Sequence, residues 1–272
     1  MKYLALVLLA CAEGCIAFQQ EPVTVWSAPR QVLRLDTEQI TESSGLAAST
    51  LENGVLYTHN DSGDTARFFK VGIDGKLRGV YSLKKATATD WEDMASASGN
   101  LYLGDIGDNL KTRREIIVYR VREPRGSGGT IQTFDTIRLR YPGGPRDAET
   151  LMVSPARKLI YIVTKAPEGS EVFVAPDRPG SWSGALKLVG RAVPPSSFPG
   201  GKLVTGGAIS PDGSTVVLRT YFAAYQWSYR DFPSGRAETV TLASERQGEA
   251  ICFSKDGTRL YTSSEGTPFT VN

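Results

Sequence analysis

Histidine is nearly missing from this chain, and its scarcity narrows the chemistry first. His59 is the only histidine among 272 residues, beside three cysteines. One histidine and one mature cysteine cannot build an ordinary zinc site. A Ser-His-Asp hydrolase would need a presented serine, and no G-x-S-x-G elbow occurs in the chain. Charge of one sign is missing too. Lys and Arg total 31 against 29 Asp and Glu, a net charge of +2, and Lys111, Arg113 and Arg114 form the densest basic patch. That balance offers no footprint for a nucleic-acid partner. No apolar run is long enough to span a bilayer, and no sustained 3.6-residue apolar period signals a helix.

The first twenty-two residues read "MKYLALVLLACAEGCIAFQQEP". One Lys, an apolar run from Tyr3 to Ala12 and then small residues are the layout of a secretory signal peptide. Cleavage after Ala17 would place Cys15 and Ala17 at the −3 and −1 sites. The alternative is a lipoprotein signal with Cys11 as the lipidated residue. The expected organisation is a signal peptide over 1–17, a linker over 18–29 and one domain over 30–272, secreted or periplasmic and monomeric. Only Cys252 then remains, in an apolar strand pattern that suits a buried, inert thiol.

What the chain does have is short runs of Val, Ile, Tyr, Leu and Thr between Gly, Pro, Asp and Asn, the punctuation of strands. "GIDG" at 72–75, "SPDG" at 210–213 and "SKDG" at 254–257 read as tight turns. The strands recur in units. Apolar anchors Leu46, Met94, Leu151, Ile209 and Ile251 end "ESSGL", "DWEDM", "DAETL", "TGGAI" and "QGEAI", and each is followed by a second strand such as "VLYTHND" or "NLYLGD". The spacing is that of a four-stranded propeller blade. The expectation is an all-β, five-bladed β-propeller of four-stranded blades. The last unit lacks its fourth strand, and the N-terminal segment 30–36 supplies it and closes the ring. Six blades is the alternative.

The alignment gives meaning to the acids of "TDWEDMASASGNLYLGDIGDN". Two positions before the anchors stand Ser44, Glu92, Glu149, Gly207 and Glu249. Four positions before stand Glu42, Asp90, Asp147, Thr205 and Gln247. In a propeller the innermost strands line the axis, so Glu42, Asp90, Glu92, Asp147, Glu149 and Glu249 are expected to converge at one mouth of the channel. Strict alternation puts these positions on the anchor's face, so a bend or bulge must separate them from it. Crowded carboxylates need compensation. A hard divalent cation held by oxygens, most simply Ca²⁺, would supply it. Lys165, Arg219 and His59, which end second strands, are the other source. The alternative is that the repeated polar residues are struts between strands.

Other features are read against plainer accounts. The loops "HNDSGD" at 59–64 and "GDIGDN" at 104–109 are rich in oxygen ligands, yet solvated loops explain them equally. His59 could act as a general acid or base, or simply fill the channel wall. Trp91, Tyr221, Tyr225 and Trp227 read as packing residues. Arg146 in "GPRDAET" reads as half of an Arg–Asp pair.

The motifs "ESSGLAAS", "THNDSGD", "DWEDMA", "YLGDIGDN", "RDAETLMV", "LRTY" and "QGEAI" together make the chain resemble a group of secreted bacterial WD40-like β-propeller proteins, from about Glu42 to Gly266. The resemblance implies the fold and no settled activity. More distantly the acidic channel is similar to those of phytase-like and lactonase-type propellers, without a position-by-position match. Three functions follow as expectations. The first is metal-assisted hydrolysis of a phosphoester or lactone, with Glu92, Glu149, Glu249 or His59 as catalytic candidates and Lys165 or Arg219 holding the substrate. The second is a non-catalytic module for a small-molecule, glycan or protein partner. The third is a glycoside hydrolase using two carboxyls.

Overall fold

Strand follows strand from Ser43 to Val271, with no helix among the described residues. The computed structural model describes residues 26–28, 30–31, 35, 37–198, 200–264 and 267–271. The expected leader over 1–17, with Cys11 and Cys15, lies outside the described residues, and so does most of the linker. No described helix is long and apolar enough to cross a membrane. The strands end where the sequence punctuates them. Gly75, Gly213 and Gly257 close the three Asp-Gly turns with φ of 85°, 73° and 72°, a region that glycine enters without a Cβ clash.

The described strands form five sheets. Their first strands are Ser43–Ala48, Trp91–Ala97, Ala148–Ser154, Val204–Ile209 and Gly248–Phe253. Each sheet continues through antiparallel neighbours, and each first strand lies against the first strands of the sheets before and after it, so that the five close on themselves. The chain is an all-β propeller. The last sheet is completed from the N-terminus as expected, by Arg30–Gln31 pairing antiparallel with Thr267–Val271. Residues 32–34 and 36 of the expected 30–36 strand lie outside the described residues.

Two sheets depart from the expected four strands. Gly128–Ile131 adds in parallel to Leu77–Leu83, and Trp182–Ala185 adds in parallel to Asp135–Arg140. Each arises from a connection in the following unit and covers the outer edge of the preceding sheet. An open edge presents unpaired N–H and C=O groups, and these short segments satisfy them. "GSGGTI" and "SWSGAL" carry little strand signal, so the sequence pattern missed both.

Apolar side chains pack between the sheets in five clusters, one at each junction of neighbours. Tyr57, Phe68 and Tyr81 meet Trp91, Leu101 and Leu103 between the first two sheets. Leu46, Leu56 and Phe69 meet Ala250, Cys252 and Tyr261 between the first and last. Cys252 is buried and free, and burial pushes its thiol pKa up, so it is inert as expected. Tyr225 and Trp227 are likewise packed, between the third and fourth sheets.

Every first strand is irregular at one place. Register shifts occur between Ser43 and Gly45, Trp91 and Asp93, Ala148 and Thr150, Val204 and Gly206, and Gly248 and Ala250. Each is a bulge, in which one residue has no opposite partner. The skipped residues are Ser44, Glu92, Glu149, Thr205 and Glu249. The bulge explains how the polar residue and the apolar anchor two places on avoid sharing a face. It also corrects the alignment of the fourth unit. Gly206 pairs with Arg219 as Thr150 pairs with Val163 and Asp93 with Gly104. The anchor is therefore Gly207, not Ile209, and the polar position is Thr205, not Gly207. Two glycines in "TGGAI" hid the apolar signal.

Gly45 follows the first bulge and faces His59 across the pair. A Cβ at Gly45 would sit 2.3 Å from His59 Nε2 and 2.9 Å from the Met94 backbone nitrogen. His59 is fully buried, so neither neighbour can yield. Gly45→Ala is expected to destabilise the fold by about 2 kcal/mol, read as a lower urea midpoint at unchanged slope.

Candidate functional site

The bulge residues meet two fates. In the first and fourth units they are struts. Ser44 Oγ donates to the Glu92 carbonyl (2.8 Å), and Thr205 Oγ1 donates to the Gly248 carbonyl (2.9 Å). Each ties its sheet to the next. In the second, third and fifth units the same position carries Glu92, Glu149 and Glu249.

Glu92 joins Asp90 and Asp61 in a cluster whose carboxylate oxygens lie within 4.8 Å of one another. Oxygens sharing one Ca²⁺ at about 2.3–2.6 Å can stand no more than roughly 5 Å apart, so these three can hold a metal ion. Asp90 and Glu92 are two residues apart at the mouth end of one strand, and the bulge aims both at the same space. Asp61 arrives from the turn after the second strand of the first sheet. Gly107 makes room. A Cβ there would lie 2.2 Å from Glu92 Oε1 and 2.4 Å from Asp90 Oδ2.

The cluster is electrostatically strained. Burial, then Glu149, Asp61 and Asp90, push the Glu92 carboxyl far above the usual carboxylate range, against a weaker pull from Lys165. Burial and then Asp61 raise Asp90 to about 6, while Arg113 opposes them. Glu149 is raised by burial, and its ion pair with Lys165 (2.5 Å) only partly offsets this. Burial works against the Lys165 charge, but Glu149 overcomes it and holds the ammonium pKa above the usual value. Lys165 also stands 5.0 Å from the Tyr221 ring centroid. Glu149 and Glu249 both act on the Tyr221 hydroxyl, after its burial. Glu149, Lys165 and Tyr221 therefore come together at one mouth, where Glu149 also acts on Glu92.

Other expected site residues sit elsewhere or are already engaged. Glu42 is exposed and outside the three-carboxylate cluster. Asp147 accepts the Asp108 N–H (3.1 Å), and Glu249 accepts from Gln247 Nε2 (3.0 Å). Arg219 is buried, pairs with Glu245 (2.8 Å), and donates to the Ala250 and Ser263 carbonyls. It joins the fourth sheet to the fifth. His59 is buried with Nδ1 on the Asn60 carbonyl (2.8 Å) and its ring edge-on to Trp91. Burial lowers its pKa, and its ring is packed into the wall against Trp91. Arg146 pairs with Glu171 (2.7 Å), not with Asp147.

The two acidic loops also divide. In "GDIGDN", Asp105 pairs with Arg113 (2.9 Å), and Asp108 accepts the N–H groups of Thr112 (2.9 Å) and Arg113 (2.8 Å). Those acids organise their own loop. In "HNDSGD", Asp64 pairs with Arg67 (2.8 Å) while Asp61 faces the cluster.

One acid belongs to neither mouth. Asp93, the residue after the second bulge, is fully buried. Its Oδ1 accepts the Met94 N–H (2.8 Å) and its Oδ2 the Leu151 N–H (2.9 Å). The N–H groups of Gly207 and Leu46 also favour its charged form. Hydrogen bonds from two first strands thus meet on one carboxylate. Burial pushes its pKa well up, and the N–H donors pull against that. No sequence count singles Asp93 out, because its equivalents Gly45, Thr150, Gly206 and Ala250 share no chemistry with it.

No family model matches the chain, and no curated protein matches it. Among solved structures, a chain in the crystal structure of a nidogen/laminin complex is similar over 82% of this chain and 72% of its own length. The TM-score is 0.49 and the sequence identity 12%. The β-propeller fold rests on the ring of sheets itself, and these comparisons assign no family.

Two outcomes follow. Asp93→Ala leaves buried N–H groups from two first strands without an acceptor, and is expected to destabilise the protein by roughly 2–4 kcal/mol in urea. The mouth carboxyls act in the opposite sense. A carboxyl with a higher pKa folded than unfolded favours the fold below about pH 4 and loses that contribution as pH rises through its folded pKa. For Asp90 the window runs from the ordinary aspartate value to about 6, and for Glu92 it extends higher. In metal-free buffer the melting temperature of the native protein is expected to fall from pH 4 to pH 7 relative to the Asp90→Asn, Glu92→Gln double variant.

Proposed function

We propose that this is an exported, five-bladed propeller whose acidic mouth binds a divalent cation, Ca²⁺, and through it an oxygen-rich small-molecule or glycan ligand. The single observation that carries this reading is the convergence of Asp61, Asp90 and Glu92, with Glu149 and its lysine partner acting on Glu92. Taking each of the five sheets as a blade is supported by the closed ring of first strands and by the cluster at each junction. An all-oxygen donor set suits a hard cation. Three carboxylates leave most of the 6–8 positions of Ca²⁺ to water and ligand, so the bound ion would be open on the channel side.

The binding reading is preferred over a hydrolase because the parts a hydrolase would use are engaged. His59 and Arg219 are buried in the fold, and Lys165 is paired with Glu149. A metal-activated water with Glu149 as base is the form that hydrolysis would take.

The test is calorimetric titration of metal-free protein with Ca²⁺, together with a thermal shift. The native chain is expected to bind one ion and to melt several degrees higher at saturation, because an ion that binds only the folded state stabilises it. Glu92→Gln is expected to melt higher than the native chain without metal at pH 8, since a neutral amide has no proton to take up on folding, and to lose the Ca²⁺ response. Gly107→Ala should weaken the ion at least tenfold by displacing both carboxylates. A native chain that shows neither heat nor shift at millimolar Ca²⁺ would sink the proposal.

A further inference from the structure

The opposite mouth of the channel has another chemistry. Beyond the layer of anchors the first strands enclose a cavity of about 340 Å³, lined by residues of all five. That volume lies at the lower end of the range for small-molecule sites. Ala95, Ser96, Ala208 and Ile209 line it and keep partial exposure deep within the strands. Its floor includes Leu46, Met94, Gly207 and Ile251.

The repeat locates its rim. Four residues after each corrected anchor stand Thr50, Ser98, Pro155, Pro211 and Lys255, and all five line the cavity. Four are neutral. Lys255 is the one charged residue in the whole lining, and no carboxylate faces the space. Its ammonium donates to the Leu51 carbonyl (3.0 Å) and forms no ion pair among the described residues, which leaves N–H donors for a ligand. Nearby acids have other partners. Glu52 is paired with Lys70, and Asp256 accepts from Ser254 and Thr258. The propeller thus gathers carboxylates at one mouth, while the cavity at the other is lined by neutral residues and one lysine, with Glu123, Asp212 and Asp256 turned to hydroxyls and N–H groups around it.

We propose that this second mouth is a binding site for a small monocarboxylate with an apolar body, its carboxylate on Lys255 and its body in the channel. Burial of the body supplies the driving force, and the rim charge selects an anion over its neutral analogue. The site is separate from the cation site and does not depend on it.

Calorimetric titration with octanoate, and with octanamide as its uncharged counterpart, decides the matter. The native chain is expected to bind one octanoate, with octanamide about tenfold weaker. Lys255→Gln should lower octanoate affinity about tenfold and leave octanamide unchanged. Ala208→Phe and Ala95→Phe, each checked for native melting, fill the cavity from different strands and should bind neither compound. Glu92→Gln should bind octanoate as the native chain does. The absence of octanoate binding at millimolar concentration, equal affinity for the two compounds, or binding that survives a folded cavity-filling variant would overturn the proposal.

Discussion

Each first strand carries one residue more than its partner can pair, and the rest of the molecule depends on where that residue goes. The bulge falls at the same step in all five sheets. It rotates the strand so that polar side chains before it meet at a mouth while the anchor after it stays in the apolar layer. Without the bulge, alternation would force Glu92 and Met94 onto one face. A carboxylate would then share the buried layer, or a methionine would share the water.

Asp93 shows how the ring is held at its centre. Packing between sheets is spread over five clusters, and dispersion and burial have no direction of their own. A carboxylate that accepts N–H groups from two neighbouring first strands is directional. It fixes the relative height of those strands around the axis, as a repeated hydrophobic contact cannot. Ser44, Thr205 and Arg219 do the same work farther out, each bonding to a carbonyl of the next sheet. The polar residues inside this propeller therefore divide into those that tie sheets together and those left facing a mouth. Chemistry belongs to the second group.

The layer of anchors and Asp93 separates two ends that differ in charge. At one end carboxylates are held closer than their repulsion favours, with Lys165 and Arg113 only partly opposing it. Such an arrangement persists because the surrounding fold is stable enough to hold it, and a bound cation would relieve it. At the other end the strands offer alanine, serine and aliphatic side chains, and one unit alone replaces a neutral rim residue with lysine. In a repeat protein the symmetric positions build the scaffold. The positions that break symmetry, such as Asp61, Asp93 and Lys255, are where individual interactions concentrate.

The strands, their turns and the meeting of Glu92 with Glu149 were legible in the chain, because alternation, Asp-Gly turns and a repeat are local patterns and symmetry carries one unit's geometry to the next. Tertiary structure decided what depends on neighbours in space. Asp61 stands one residue past its second strand, where the next three units carry Ile106, Lys165 and Tyr221, so no shared chemistry points to it. Arg219 looks available in "VVLRTY" until Glu245 and two carbonyls from the next sheet enclose it. Gly206 and Gly207 have no side chain to mark the register, and only pairing with Arg219 and Leu218 sets it. Sequence spacing specifies which residues share a strand and a face. Burial, ion pairing and the approach of a loop to an axis are sums over parts of the chain distant from one another, and they exist only once the ring has closed.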